Sequence, residues 1–148
     1  MRLANKSDSK DIFEWRNDEL TRRMSHTSFI VEGEKHDKWY ATSLASESCV
    51  LLICKGKYGK KIAVVRFEIA EYDALISINL NPSQRGKGLA KISLIKSIDY
   101  FLEHFSKIKR LVAEIKEENI VSQKTFIEVG FEKYSLNDNV GLYQKNIV

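Results

Sequence analysis

The residues best suited to chemistry lie at positions 81–90, Asn-Pro-Ser-Gln-Arg-Gly-Lys-Gly-Leu-Ala. A period-2 apolar run over 74–80 stops at Asn81 and Pro82, and a helical pattern begins near Gly88. Gly86 and Gly88 leave the main chain bare between them, so its N–H groups can approach a ligand closely. At a helix start those groups have no intrahelical partner, and the helix dipole adds about half a positive charge. Arg85 and Lys87 add full charges. Strand, basic glycine turn and helix together suit a pyrophosphate.

Two familiar phosphate loops do not fit. A Walker A loop needs Ser or Thr after Gly-Lys to hold magnesium, and Gly88 stands there. The dinucleotide fingerprint needs a third glycine where Lys91 stands. The pattern that fits is Gln or Arg, two residues, Gly, one residue, then Gly or Ala, filled by Arg85, Gly88 and Ala90 with Gly86, Lys87 and Leu89 between. A second stretch follows a short apolar strand at 111–115: Asn119, Ser122, Phe126, Gly130 and Phe131, spaced Asn-x-x-Ser-x-x-x-Phe-x-x-x-Gly-Phe.

Together the two stretches resemble the signatures of the GNAT superfamily of N-acetyltransferases, at the spacing that superfamily shows. The resemblance implies an α/β (α+β) fold, a single mixed central sheet of about seven strands with helices on both faces. It implies acetyl-CoA as co-substrate and no metal. The pyrophosphate would lie on the main chain of Arg85, Gly86, Lys87, Gly88, Leu89 and Ala90, and the pantetheine arm beside Ile78 and Leu80. Asn119, Ser122 and Phe126 would complete the cofactor side.

Composition agrees with such an enzyme. The 148 residues suit one domain, 1–148, and 43% hydrophobic with 30% charged residues is ordinary for a globular protein. No apolar run approaches the ~20 residues that span a bilayer, and the first residues lack the apolar core of a signal peptide, so the expected location is cytoplasmic. The net charge of +4 is too spread along the chain to argue for nucleic acid, and neither a nucleic-acid nor a membrane partner is expected. A monomer or homodimer is expected. Cys49 and Cys54 lie an odd number of residues apart on one strand, so their side chains face opposite ways and a disulfide is not expected. Lys55, Lys57, Lys60 and Lys61 read as a solvated hairpin turn.

The elements that must position these residues follow from periodicity. After a short strand at 2–4, Ser7 or Asp8 can cap a helix carrying Ile12 and Trp15. Residues 18–28 are polar and irregular, and 34–44 form a second helix. Strands are expected at 49–54, 62–70 and 74–80, then a helix over 88–105 with a core stripe of Leu89, Ile92, Ile95, Ile98, Leu102 and Phe105. A strand at 111–115, a helix at 120–129 ended by Gly130, and two strands around Asn137-Asp138-Asn139 complete the chain.

Nitrogen attack on a thioester needs a deprotonated amine, a polarised carbonyl and a proton for the leaving thiolate. Many superfamily members supply that proton from a tyrosine at the place Phe126 occupies, and phenylalanine has none to give. Ser122, one turn earlier, can substitute, as can Tyr143 or Tyr134. Candidates for the base are Glu68, which shares a strand face with Arg66, and His36; Glu114 is placed to align the second signature. Trp15, Arg16, Asn17, His36 and Arg66 form the candidate acceptor side. Trp15, Arg16, Asn17 and Asp18, then Arg22 or Arg23, Ser25, and His36 with Trp39, extended by residues 66–68 and 76–80, resemble the amino-sugar-nucleotide N-acetyltransferases of pseudaminic and related nonulosonic acid pathways, which implies a nucleotide-linked amino sugar as acceptor. Acetylation of a protein N-terminus, and binding of acetyl-CoA without turnover, are the other two functions the sequence allows.

Overall fold

A computed structural model describes residues 1–26 and 28–148. Among these residues, seven strands form one sheet in the order β1-β2-β3-β4-β5-β7-β6: β1 (Arg2–Leu3), β2 (Cys49–Lys55), β3 (Lys61–Ala70), β4 (Asp73–Leu80), β5 (Arg110–Lys116), β6 (Glu132–Asn137) and β7 (Val140–Asn146). All neighbours are antiparallel except β4 and β5. The helices are α1 (Ser9–Arg16), α2 (Glu19–Met24), α3 (Gly33–Ala45), α4 (Leu89–His104) and α5 (Ile120–Glu128). Asp138 and Asn139, both at positive φ, make the tight turn between β6 and β7 that suits the strand twist.

Strand alternation divides the core into two layers. On one face of the sheet Val65 and Phe67 of β3 pack with Ile76 of β4 against Leu94, Ile98 and Phe101 of α4, while Phe126 of α5 closes the same cluster. The rings of Phe67 and Phe101 stack with centroids 4.0 Å apart. On the other face Leu51, Ile53 and Val64 pack against Ile12 and Trp15 of α1 and Tyr40 of α3. Cys54 lies in the first layer and Cys49 borders the second, and both thiols are free.

Three expectations change. The buried face of α4 is Ser93, Leu94, Ser97, Ile98 and Phe101, whereas Ile92 and Ile95 are exposed. The helix turns its two serines inward, where the Ser97 hydroxyl lies 3.3 Å from Cys54 Sγ, so small polar side chains take the place of the larger isoleucines. The stretch expected to be irregular contains α2, because Asp18 caps it by accepting from the Thr21 amide at 3.1 Å; Thr27, in the same stretch, lies outside the described residues. Lys61 is not a solvated turn residue. Its ammonium pairs with Asp8 at 2.7 Å and Asp11 at 2.8 Å.

Asp8 is fully buried and joins three parts of the chain, because it also receives Arg2 Nη1 at 2.7 Å, Arg2 Nη2 at 2.8 Å and the Asn5 amide at 2.9 Å. Burial pushes its pKa up, but these donors outweigh burial and hold the carboxyl below its usual range. Asp8→Asn should therefore cost about 3 kcal/mol, the low end for a buried pair because Arg2 and Lys61 keep some solvent. In the wild type this stabilisation should be present above about pH 4 and be lost as pH falls further. Urea unfolding from neutral to acid pH measures both, and a variant as stable as the wild type at neutral pH would contradict the assignment.

Candidate active site

The parallel pair β4 and β5 is joined only at Asp73–Arg110, Ala74–Leu111 and Leu75–Val112. Past those three rungs the strands part, although β4 stays paired to β3 as far as Leu80 and β5 to β7 as far as Lys116. The edge of β4 over residues 76–80 is thus left with no strand partner among the described residues. A cleft of about 300 Å³ passes through the sheet at the gap. Ile76, Ile78 and Phe126 line it from the α4 side, and Arg16, Trp39 and Arg66 from the other.

The basic glycine loop leads out of β4 beside this gap. A one-turn helix, Pro82–Gln84, carries the chain to Arg85, and Gly86 and Gly88 both take positive φ, at 74° and 71°. Left-handed backbone is costly for other residues, so both glycines are needed for the turn itself. A Cβ on either would meet no heavy atom within 4 Å, so the space beside both glycines is open. Gly88 is also the N-cap of α4 and brings no side chain to its first amides. These features fit the diphosphate of acetyl-CoA, and the free edge over 76–80 fits the amides of a pantetheine arm, which can add to it as an extra strand would.

The acceptor side is built by α1, α3 and β3. The Arg16 guanidinium lies over the Trp39 ring at 4.5 Å from its centroid, and that of Arg66 at 5.8 Å. Two guanidiniums thus share one indole, a favourable arrangement for cations. Burial, with Arg66 as a like charge, lowers the Arg16 pKa from its ordinary value. Arg16 Nη1 also donates to His36 Nδ1 at 3.4 Å. A guanidinium can only donate, so the His36 proton sits on Nε2, which lies 3.1 Å from the Ser9 carbonyl oxygen. His36 is almost wholly buried and burial lowers its pKa. It is a neutral support for Arg16 rather than a group facing the cleft.

The other candidates are distributed unevenly. Ser122 lines the cleft beside Asn119, whose side chain caps α5 by accepting the Ser122 amide at 3.2 Å. Trp15 is buried in the second core layer, and Asn17 ties the end of α1 to Val31 through bonds of 2.8 and 3.0 Å. Tyr143 is buried in the first layer, and Tyr134 is half-exposed on β6. Glu68 stands outside the cleft lining, 3.6 Å from Arg66 Nε. Among the described residues the carboxylate that lines the cleft is Glu114, paired with His26 at 2.9 Å.

His26, with Met24 and Ser25, belongs to the stretch read as irregular; Ser25 was among the acceptor-side candidates, while reasoning from sequence missed Met24 and His26. The Asp18-x-x-Thr21 capping pattern was the available signal for the helix that delivers them. Among the described residues there is no group of three or more His, Cys, Asp or Glu that could hold a metal ion. No helix among them is long and apolar enough to cross a membrane.

Residues 1–132 match the family model for the acetyltransferase (GNAT) domain, and the chain belongs to that family. It is accordingly an acetyl-CoA-dependent N-acetyltransferase. The fold also matches solved structures closely. Spermidine N-acetyltransferase from Vibrio cholerae, in complex with CoA and spermine, superposes with a TM-score of 0.86 at 16% identity, over 98% of this chain and 93% of that one. A domain from Methanocaldococcus jannaschii gives 0.84 at 22% identity over 99% and 96%. A putative phosphinothricin N-acetyltransferase gives 0.81 at 22% identity over 98% and 96%. No curated protein sequence matches the chain.

His36 yields a pH prediction. Its folded pKa lies below the ordinary 6.5, so the unfolded chain takes up the proton first as pH falls. The stability contribution is present above about pH 6.5 and is lost as pH drops through the folded pKa. Urea midpoints between about pH 7 and 5 should fall in the wild type and fall less in His36→Gln. Equal slopes would show that His36 titrates as freely in the folded protein as in the unfolded one.

Proposed function

We propose that the protein acetylates the primary amine of a small acceptor that carries an anionic group, with a nucleotide-linked amino sugar as the specific case. The observation that carries this is the pair of guanidiniums, Arg16 and Arg66, ranged over Trp39 on the acceptor side of the cleft. Arginine presents a planar fork that suits phosphate, and the indole suits a base or sugar face. The neighbour from Vibrio cholerae is in complex with spermine. A polycation would meet like charge on this wall, which favours an anionic acceptor instead. The resemblance of the N-terminal third to amino-sugar-nucleotide acetyltransferases supports the same choice.

Acetyl-CoA supplies an activated acyl group as a thioester. This chain holds the diphosphate on the loop at 85–90 and the acceptor's anion on Arg16 and Arg66. Glu114, facing the cleft with His26 as partner, takes the proton that the acceptor ammonium must lose. Phe126 has no proton to give, and Ser122 holds one at Oγ in the same cleft. Glu68 remains the flank of Arg66 in this scheme, and Tyr143 a core residue.

A screen of amines with acetyl-CoA, following free thiol, tests the proposal. UDP-linked amino sugars should turn over well above spermidine and N-terminal peptides. Arg66→Ala should raise the acceptor KM by roughly 10–100-fold while leaving that for acetyl-CoA nearly unchanged. Glu114→Gln should lower kcat by about 10²–10⁴-fold with little change in either KM. Preference for a polyamine or a peptide would overturn the acceptor assignment, and full activity of Glu114→Gln would remove the base.

A further inference from the structure

The part of the acceptor wall formed by α2 has little stability of its own. At six residues α2 is too short to persist alone, and it buries no residue. Its anchors are polar. Arg22 Nε donates to the Asn17 carbonyl at 3.1 Å, which steadies the helix start. Lys116 Nζ donates to the Arg23 carbonyl at 3.1 Å, and His26 pairs with Glu114 at 2.9 Å. Arg22 Nη1 donates to the Ser28 carbonyl at 3.1 Å. A further anchor comes from the cofactor loop: Arg85 pairs through Nη2 with Asp18, the cap of α2, and donates to Thr21 Oγ1 at 2.9 Å.

This last contact is unexpected from the loop's own chemistry. Arg85 is the first residue of the anion-binding pattern, yet its side chain turns away from the loop and grips the other wall. Both partners are partly buried, with side-chain exposures of 33% for Arg85 and 24% for Asp18, so solvent competes only in part. Burial works against the Asp18 carboxylate, but Arg85 and the Thr21 amide outweigh it and hold its pKa below the usual range. The same carboxylate caps α2, so losing Arg85 and loosening the cap fall on one group. The other end of α2 delivers Met24, Ser25 and His26 to the cleft.

We propose that Asp18 and Arg85 form a clasp that couples the two binding sites, so that filling the loop with the cofactor's diphosphate orders α2 and completes the acceptor wall. The inference rests on the loop at 85–90 being the cofactor's seat. Arg85 is then a positioning residue: its main chain belongs to the anion site, and its guanidinium acts on the acceptor side. An anion held on the neighbouring amides fixes the Arg85 backbone and aims its side chain at Asp18. Ordering supplied by the cofactor no longer has to come from acceptor binding, which makes the two affinities cooperative. Competition would have the opposite sign: were the guanidinium drawn to the phosphates, Asp18 would lose its partner and α2 would loosen.

Hydrogen exchange of the intact protein with and without CoA distinguishes the two, with calorimetry of CoA on the same samples. In the wild type, CoA should slow exchange at residues 86–90 and, by about fivefold or more, at residues 21–26. Asp18→Asn keeps a capping oxygen but removes the charge. It should bind CoA within about threefold of the wild type, keep the protection at 86–90 and lose that at 21–26. Arg85→Gln should likewise lose protection at 21–26, which keeps the test available if Asp18→Asn folds poorly. Unchanged or faster exchange at 21–26 in the wild type would overturn the clasp. So would CoA binding about tenfold tighter in Asp18→Asn, the mark of an arginine freed for phosphate. Absence of any CoA heat in the wild type would remove the cofactor seat and the coupling with it, whereas a failed amine screen alone would leave both standing.

Discussion

The constraint on which the site depends is that β4 and β5 are held together at one end and nowhere else. At the joined end Arg110 meets Asp73 with a forked contact, Nη2 to Oδ2 at 2.8 Å and Nε to Oδ1 at 3.2 Å, and it also reaches Gln144 on β7 at 3.2 Å. The pair is part-exposed, so its energy is modest and its value is geometric. It pins the register at Asp73–Arg110, and three rungs later the strands diverge. Each strand keeps its other neighbour, so neither frays where they part. A sheet interrupted in this way offers a gap with a free main-chain edge, and in a protein interior such an edge must find a partner.

The two faces of the sheet give that gap two different ends. On one side α4 begins at Gly88 with an uncapped first turn, where main-chain donors and a dipole favour an anion. On the other, α1, α3 and β3 present Arg16, Trp39 and Arg66. Positive charge therefore flanks the gap at both ends, and the paired Glu114 and His26 also line the cleft. Acceptor and cofactor can enter from opposite faces and meet within the sheet. The short helix α2 and the residues after it touch both parts, tied to the loop by Arg85 and to β5 by Lys116 and, through His26, by Glu114.

The fold was largely legible in the sequence because its signals are local. Gly86 and Gly88 declare a turn, Asn119 and Gly130 bound a helix, and alternation over 62–70 and 74–80 declares two strands. The errors arose where burial is decided by a distant partner. Ile92 and Ile95 satisfy a helical period, but the strand under α4 accepts Ser93 and Ser97 instead, beside Cys54. Trp15 and His36 have residue types that suit a substrate, and tertiary packing turns both inward. The Asp18–Arg85 contact joins residues 67 apart in sequence, and the pairing of His26 with Glu114 joins residues still further apart, so no short window of the sequence contains either. The candidate cofactor side is made of contiguous motifs, while the candidate acceptor side is assembled from segments far apart in the sequence.

The central claim is that the opened edge of β4 and the glycine loop form one continuous seat for acetyl-CoA. A crystal structure of the protein with CoA tests it most directly. The account predicts the diphosphate within hydrogen-bond distance of the main-chain N–H groups of residues 86–90, and the pantetheine amides paired with β4 between Ile76 and Leu80. It further predicts the thiol pointing into the gap between Ser122 and Glu114. CoA bound elsewhere on the surface, with the edge of β4 still unpaired, would contradict it.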